Sequence, residues 1–168
     1  MTMQRPHKVR LAGVTHDSIV DGEGLRMVVF AQGCPHHCPG CHNPTTHDFS
    51  GGKEGDTNAL LQELKENVLE QGITLSGGEP FCQPEAMLEL ARGAHALGKD
   101  VWAYTGYYYE QILADETKKA LLKECDVLVD GRFVIEMRSL ALPFRGSTNQ
   151  RIIDVQRSLR EERIVLME

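Results

Sequence analysis

The chain has 168 residues, 41% hydrophobic and 25% charged, with a formal net charge of −6 at pH 7. That length and balance fit a single domain, residues 1–168, with its own core, and the acid excess argues against a nucleic-acid binder that works by neutralising phosphates. No stretch is apolar for long enough to span a bilayer, so no membrane-embedded part is expected.

The start, MTMQRPHKVR, is basic but lacks the apolar run and small-residue cleavage site of a secretory signal, so a cytoplasmic address is expected. Thiols stay reduced there. Five cysteines, three of them within residues 34–41, therefore point to metal or redox chemistry before a disulfide framework.

In chain order, KVRLAGVTHDSIVDGEGLR reads as an added strand or hairpin turning at DGEG. Four short apolar stretches then read as strands, LRMVVFAQG (25–33), ITLSGG (73–78), DVWAYTG (100–106) and DVLVDG (126–131). Several are continuously apolar, as strands buried on both faces of a parallel sheet are. Between them lie helical patterns. In TNALLQELKENVLEQG, Leu60, Leu61, Leu64 and Val68 share one face while Glu63, Lys65, Glu66 and Glu70 take the other, with Gly72 as a left-handed C-terminal cap. In PEAMLELARGAHALG, Pro84 sits in the first turn, Met87, Leu88, Ala91 and Ala94 make the stripe, and Gly98 ends it. Residues 108–124 are predicted to break, with Asp115 capping a new helix. The late arginines 145, 151, 157, 160 and 163 read as a solvated helix face, with a docking surface as the alternative.

Strand alternating with helix predicts an α/β fold with a mostly parallel sheet. In such sheets the C-terminal strand ends and the loops after them form the binding face. The unusual sequence lies there: the cysteines follow the first of the four strands, SGGEP ends the second, YTGYYY the third and DGRF the fourth.

Cys34, Cys38 and Cys41 are interleaved with His36, His37 and His42. Structural zinc in a Cys₃His shell is one reading, but zinc ligands normally pair as knuckles separated by a longer loop. C-x₃-C-x₂-C in one tight loop wraps a larger object, and an iron–sulfur cube held by three thiolates keeps one iron open.

The spacing in CPHHCPGC resembles the radical S-adenosylmethionine superfamily, and SGGEP at the next strand end is similar to its GGE motif. The resemblance implies a partial (β/α) barrel with helices on the outside, a radical SAM core. It also implies a 4Fe-4S cluster on Cys34, Cys38 and Cys41, with S-adenosyl-L-methionine chelated at the open iron. Gly40, Cys41 and His42 are then expected to touch the cofactor. Ser76, Gly77, Gly78 and Glu79 would supply acceptors for its ammonium, the glycines because a Cβ would obstruct. Thr105 and Asp130 are ribose or carboxylate candidates, with plain turn caps as the alternative. Many members have an aromatic residue before the third cysteine, close to the adenine; Gly40 stands there here, as in an activase subgroup with a small residue followed by CHN.

DGEGLR, GCHNP, SGGEP and FRGSTNQRIIDV together resemble the activating enzymes of anaerobic (class III) ribonucleotide reductase. The partner implied is the large reductase subunit, on whose C-terminal loop a glycyl radical is made, with an electron donor such as flavodoxin. Competing readings are an activase of another glycyl radical enzyme, of the pyruvate formate-lyase type, a 7-carboxy-7-deazaguanine synthase-like enzyme, or a non-enzymatic zinc-binding module. Cys82 and Cys125 read as small buried hydrophobes, with a redox role left open for Cys82 beside GGEP. His36 and His37 are expected to face solvent, and His7, His16, His47 and His95 to be structural. Tyr107, Tyr108 and Tyr109 are expected to pack beside the cofactor or to start a helix. Arg145, Gly146, Asn149 and Arg151 either contact the reductase or tie their own loop together.

Overall fold

The computed structural model describes residues 7–41 and 44–167. Seven strands form one sheet: β1 (Lys8–Ser18), β2 (Arg26–Ala31), β3 (Lys53–Asp56), β4 (Gly72–Gly77), β5 (Asp100–Tyr104), β6 (Val127–Asp130) and β7 (Arg151–Asp154), in the order β3-β1-β2-β4-β5-β6-β7. The four strands expected from their apolar runs, β2, β4, β5 and β6, are the parallel centre. β1, β3 and β7 add antiparallel at its flanks, so the sheet is an open, partial barrel.

Side chains alternate across each strand. Met27, Val29, Ile73, Leu75, Val101, Ala103 and Leu128 point to the helices and form the main core with Leu64, Met87, Leu90 and Leu121. Those helices are α1 (Thr57–Glu66), α2 (Pro84–Ala96), α3 (Tyr109–Leu113), α4 (Glu116–Leu122) and α5 (Val155–Glu161). The other face carries Trp102, Val127 and Val129, packed by Tyr104, Phe144 and Ile152. It also buries Arg26, which is 0% exposed. Its guanidinium donates to Thr74 Oγ1 at 2.7 Å, Ile73 O at 2.9 Å and Glu23 O at 2.9 Å, pairs with Asp100 Oδ1 at 2.5 Å, and lies 5.6 Å from the Trp102 ring centroid. A buried cation is tolerated only with its donors filled in this way.

The hairpin turning at DGEG, the end of α2 at Gly98 and the new helix capped by Asp115 agree with expectation. At Gly98 (φ +75°) the amide donates to His95 O and that of Lys99 to Ala94 O, the paired bonds of a left-handed helix stop. Four expectations are corrected. α1 ends at Glu66, one turn early, which leaves Val68 84% exposed. Gly72 is no cap but the first residue of β4, where a Cβ would come 2.1 Å from Asp100 Oδ1 and 2.4 Å from Arg26 Nη2; glycine makes room for that ion pair. Glu70 is buried and accepts from the Asp17 amide at 2.9 Å and from His16. The late arginines do not share a helix face: Arg145 is in a loop, Arg151 in β7, Arg157 and Arg160 in α5. Among the described residues no helix is long and apolar enough to cross a membrane.

Candidate radical cofactor site

A cleft of about 510 Å³ opens at the C-terminal ends of the parallel strands. Cys34, Cys38 and Cys41 all line it, together with Ser76, Gly77 and Gly78 from the end of β4 and Thr105 from the end of β5. Among the described residues, no three His, Cys, Asp or Glu side chains gather round a point that a single ion would fill. The thiols instead line a cleft whose volume far exceeds the roughly 30 Å³ of one water molecule. Three soft donors opening on one such cleft fit an iron–sulfur cluster. Burial pushes the Cys34 thiol up to about 11 and raises that of Cys38. In the metal-free chain these groups are therefore protonated at neutral pH, and a metal that binds them must displace the protons.

The cysteine loop is moored from behind. Gly33 N donates to Thr46 O at 2.7 Å, Cys34 N to His47 O at 3.1 Å, and Glu79 N to Gly33 O at 2.8 Å. Gly77 (φ +97°) and Gly78 permit this approach: a Cβ on Gly78 would lie 2.5 Å from Gly33 O, and one on Gly77 2.5 Å from Ala31 N. The two glycines thus let the β2 and β4 strand ends close together, in addition to facing the cleft.

Glu79 does not open on the cleft. Its carboxylate is fully buried and accepts from Gly106 N at 2.8 Å and Phe81 N at 3.0 Å, with Thr105 Oγ1 2.9 Å from both oxygens. His36 Nε2 lies 2.6 Å from the same carboxylate. The expectation that His36 faces solvent is therefore corrected: its side chain is 4% exposed, its ring packs edge-on to Tyr107 at 4.6 Å, and Gly106 leaves room for it. A histidine next to a buried carboxylate turns inward because that hydrogen bond removes the cost of an unpaired buried acceptor. Glu79 thereby ties the cysteine loop to the ends of β4 and β5.

The other expected site residues are spread around this centre. Gly40 (φ +75°) leaves its Cβ position 2.5 Å from Ile135 Cδ1. His42 lies outside the described residues. Asp130 is fully buried, accepts from Tyr109 N at 2.8 Å, and is gripped by Arg151 through Nε at 3.0 Å and Nη2 at 2.5 Å. Tyr109 starts α3, and the Tyr107 hydroxyl sits 3.8 Å from the half-buried Cys82 sulfur. Cys125 is fully buried and bonds to Leu121 O. His7, His16 and His95 each meet a carboxylate, on Glu89, on Glu63 with Glu70, and on Asp126 respectively. Two buried nitrogens of cleft residues, His47 Nε2 and Arg145 Nε, have no protein partner, and such orphaned polar atoms suit a site that receives a polar guest. The sequence marks Arg145 only as a solvated, docking or loop-tying residue and Phe133 only as the end of DGRF, while His47, which also lines the cleft, carries no local pattern that points there.

Residues 20–153 match the model of a family described as a 4Fe-4S single cluster domain. Over 140 residues the chain is 36% identical to the anaerobic ribonucleoside-triphosphate reductase-activating protein of Haemophilus influenzae, an alignment covering 79% of this chain and 89% of that protein. The protein of the same name from Escherichia coli (strain K12) is 35% identical over 141 residues, covering 79% of this chain and 90% of the relative. That of Enterobacteria phage T4 is 36% identical over 141 residues, covering 79% and 86%. The cysteine loop, the glycine pair and the RGSTNQR segment all fall inside the region that matches a single-cluster domain. The chain belongs to the family of anaerobic ribonucleoside-triphosphate reductase-activating proteins.

Proposed function

We infer that this protein activates an anaerobic ribonucleotide reductase as a radical SAM enzyme, with a 4Fe-4S cluster and S-adenosyl-L-methionine as cofactors. One observation carries the reading: three thiols spaced C-x₃-C-x₂-C open with a glycine-rich strand end onto a single cleft at the C-terminal edge of a parallel sheet. When bound, the cofactors supply the 5′-deoxyadenosyl radical that takes a hydrogen from a glycine of the large reductase subunit.

The chain's own residues hold and orient. Cys34, Cys38 and Cys41 are the cluster ligands, and the backbone of Ser76, Gly77 and Gly78 meets the methionine end of the cofactor. Gly40 and Cys41 form its near wall, His42 beside them in sequence is a further cofactor contact, and Thr105 lies at the ribose side. Glu79 and Asp130 act as positioning residues, because their carboxylates are already filled by His36 with Thr105, and by Arg151. Cys82 and Cys125 take no part in ligation. The continuous seven-stranded sheet supports a single domain over the whole chain, acting in the cytoplasm with a flavodoxin-type electron donor.

The test is an anoxic reconstitution with iron and sulfide, followed by mixing with dithionite, S-adenosylmethionine and the large subunit of an anaerobic ribonucleotide reductase. A glycyl doublet in the electron paramagnetic resonance spectrum is expected. Alanine at Cys34, Cys38 or Cys41 should lose both cluster iron and doublet, while alanine at Cys82 or Cys125 keeps both. A doublet with pyruvate formate-lyase alone would reassign the partner. A colourless protein holding one zinc would overturn the reading altogether.

A further inference from the structure

The RGSTNQR segment is occupied with its own fold. Arg151 grips Asp130, Gln150 Nε2 donates to Gly131 O at 3.0 Å, Asn149 Nδ2 donates to Arg132 O at 2.8 Å, and Ser147 Oγ accepts from Val134 N at 3.2 Å. Four side chains from 147–151 thus pin four of the five residues 130–134, the loop that leaves β6. Three of the four are side chain-to-backbone bonds, which hold a loop in place, and the fourth is the Arg151–Asp130 ion pair.

The fifth residue is Phe133. Its backbone amide approaches the Cys38 thiol, and the residue lines the cleft. Its ring rests against Gly146, where a Cβ would come 3.1 Å from Phe133 Cδ2. On the cysteine loop, Gly40 offers no side chain beside Cys41, and Ile135 Cδ1 lies 2.5 Å from where its Cβ would stand. Tyr104 and Phe144, which also line the cleft, are engaged with each other and with Trp102: the Tyr104 hydroxyl donates to Phe144 O at 2.6 Å, and Phe144 packs edge-on to Trp102 at 5.3 Å. Among the described residues, Phe133 is therefore the Phe, Tyr or Trp of the cleft whose backbone approaches the cysteine loop, while the His36 ring is taken up by Glu79 and Tyr107 and the His47 ring packs on His37.

We propose that Phe133 is the platform on which the adenine of S-adenosylmethionine packs, and that residues 146–151 are the brace that keeps it beside Cys38. The inference rests on the radical SAM reading above. An aromatic ring suits a purine because each base presents a π-face, and such contacts are sequence-tolerant and substantial. Rigid support matters equally, since a ring on a loose loop would be ordered at a cost on every binding event.

The experiment measures the dissociation constant of S-adenosylmethionine for the anoxically reconstituted full chain, by calorimetry without reductase. Iron content and the spectrum of the reduced cluster are recorded for each variant. Phe133→Ala is expected to weaken binding about tenfold, at the lower end of base–aromatic contacts. Phe133→Tyr should stay within about twofold of wild type. Phe133→Leu, which keeps apolar bulk and guards against a folding defect, should weaken it severalfold. Ser147→Ala, which loosens the brace without touching the ring, should also weaken binding, with iron content unchanged. If Phe133→Ala binds like wild type, the platform is wrong while the radical SAM reading stands. If it loses iron, Phe133 serves the cysteine loop instead, and the proposal is likewise overturned. If cluster-loaded wild type fails to bind S-adenosylmethionine, the underlying reading itself fails.

Discussion

The substitution Glu79→Gln separates the two oxygens of a carboxylate that the protein uses in full. Oε1 accepts from Gly106 N at 2.8 Å and Oε2 from Phe81 N at 3.0 Å, and both donors are backbone amides that cannot reverse their polarity. His36 can change tautomer, and the Thr105 hydroxyl can turn and accept. Whichever way the introduced side-chain amide is placed, however, its NH₂ meets one of the two backbone N–H groups. The result is a buried donor without an acceptor, worth about 1–3 kcal/mol. For a chain of this size about 2 kcal/mol lowers the melting temperature by roughly 4–8 °C. Calorimetry of the metal-free, reduced Glu79→Gln variant measures that loss directly. Thr105→Ser, which retains the hydroxyl, should melt close to wild type. A Glu79→Gln protein that melts within about 1 °C of wild type would refute the assignment of Glu79 as the tie between the cysteine loop and the strand ends.

Two further predictions concern charge. Lysine cannot reproduce the two-point grip of Arg151 on buried Asp130. Arg151→Lys should therefore cost about 1.5 kcal/mol, read as a fall of roughly 3–6 °C in the melting temperature, and an unchanged melt would show the ion pair to be idle. At His16 the hydrogen bond to Glu63, opposed by burial and assisted by Glu70, raises the imidazole pKa above its ordinary 6.5. A raised histidine stabilises fully below its unfolded value and loses that contribution as pH climbs through the folded one. The stability of wild type over His16→Gln should thus be largest below about pH 6 and shrink above about pH 6.5. A pH-independent difference in denaturant midpoint would contradict the pairing.

The chemistry was legible in the sequence because it depends on residues close together in the chain. Three thiols in eight positions, a glycine pair at a strand end and four short strands, several of them continuously apolar, specify a cluster loop on a parallel sheet without reference to anything distant. Local signals of the same kind marked the DGEG turn, the stop at Gly98 and the cap at Asp115. The added strands were less visible. β3 and β7 are four residues each, too short to show an alternation, and they form because a neighbouring strand offers them an edge.

What the tertiary structure alone decided are the pairings across long stretches of chain. His36 meets Glu79 across 43 positions, and Arg26 meets Thr74 across 48. Glu70 turns inward to His16 across 54 positions, and Gly72 is small for the sake of an ion pair between two other residues. The RGSTNQR segment, readable beforehand as either a docking loop or a self-tied one, proved to brace residues 130–134. A buried polar group must find a partner wherever the fold brings one, and that choice leaves no periodic trace in the residues on either side.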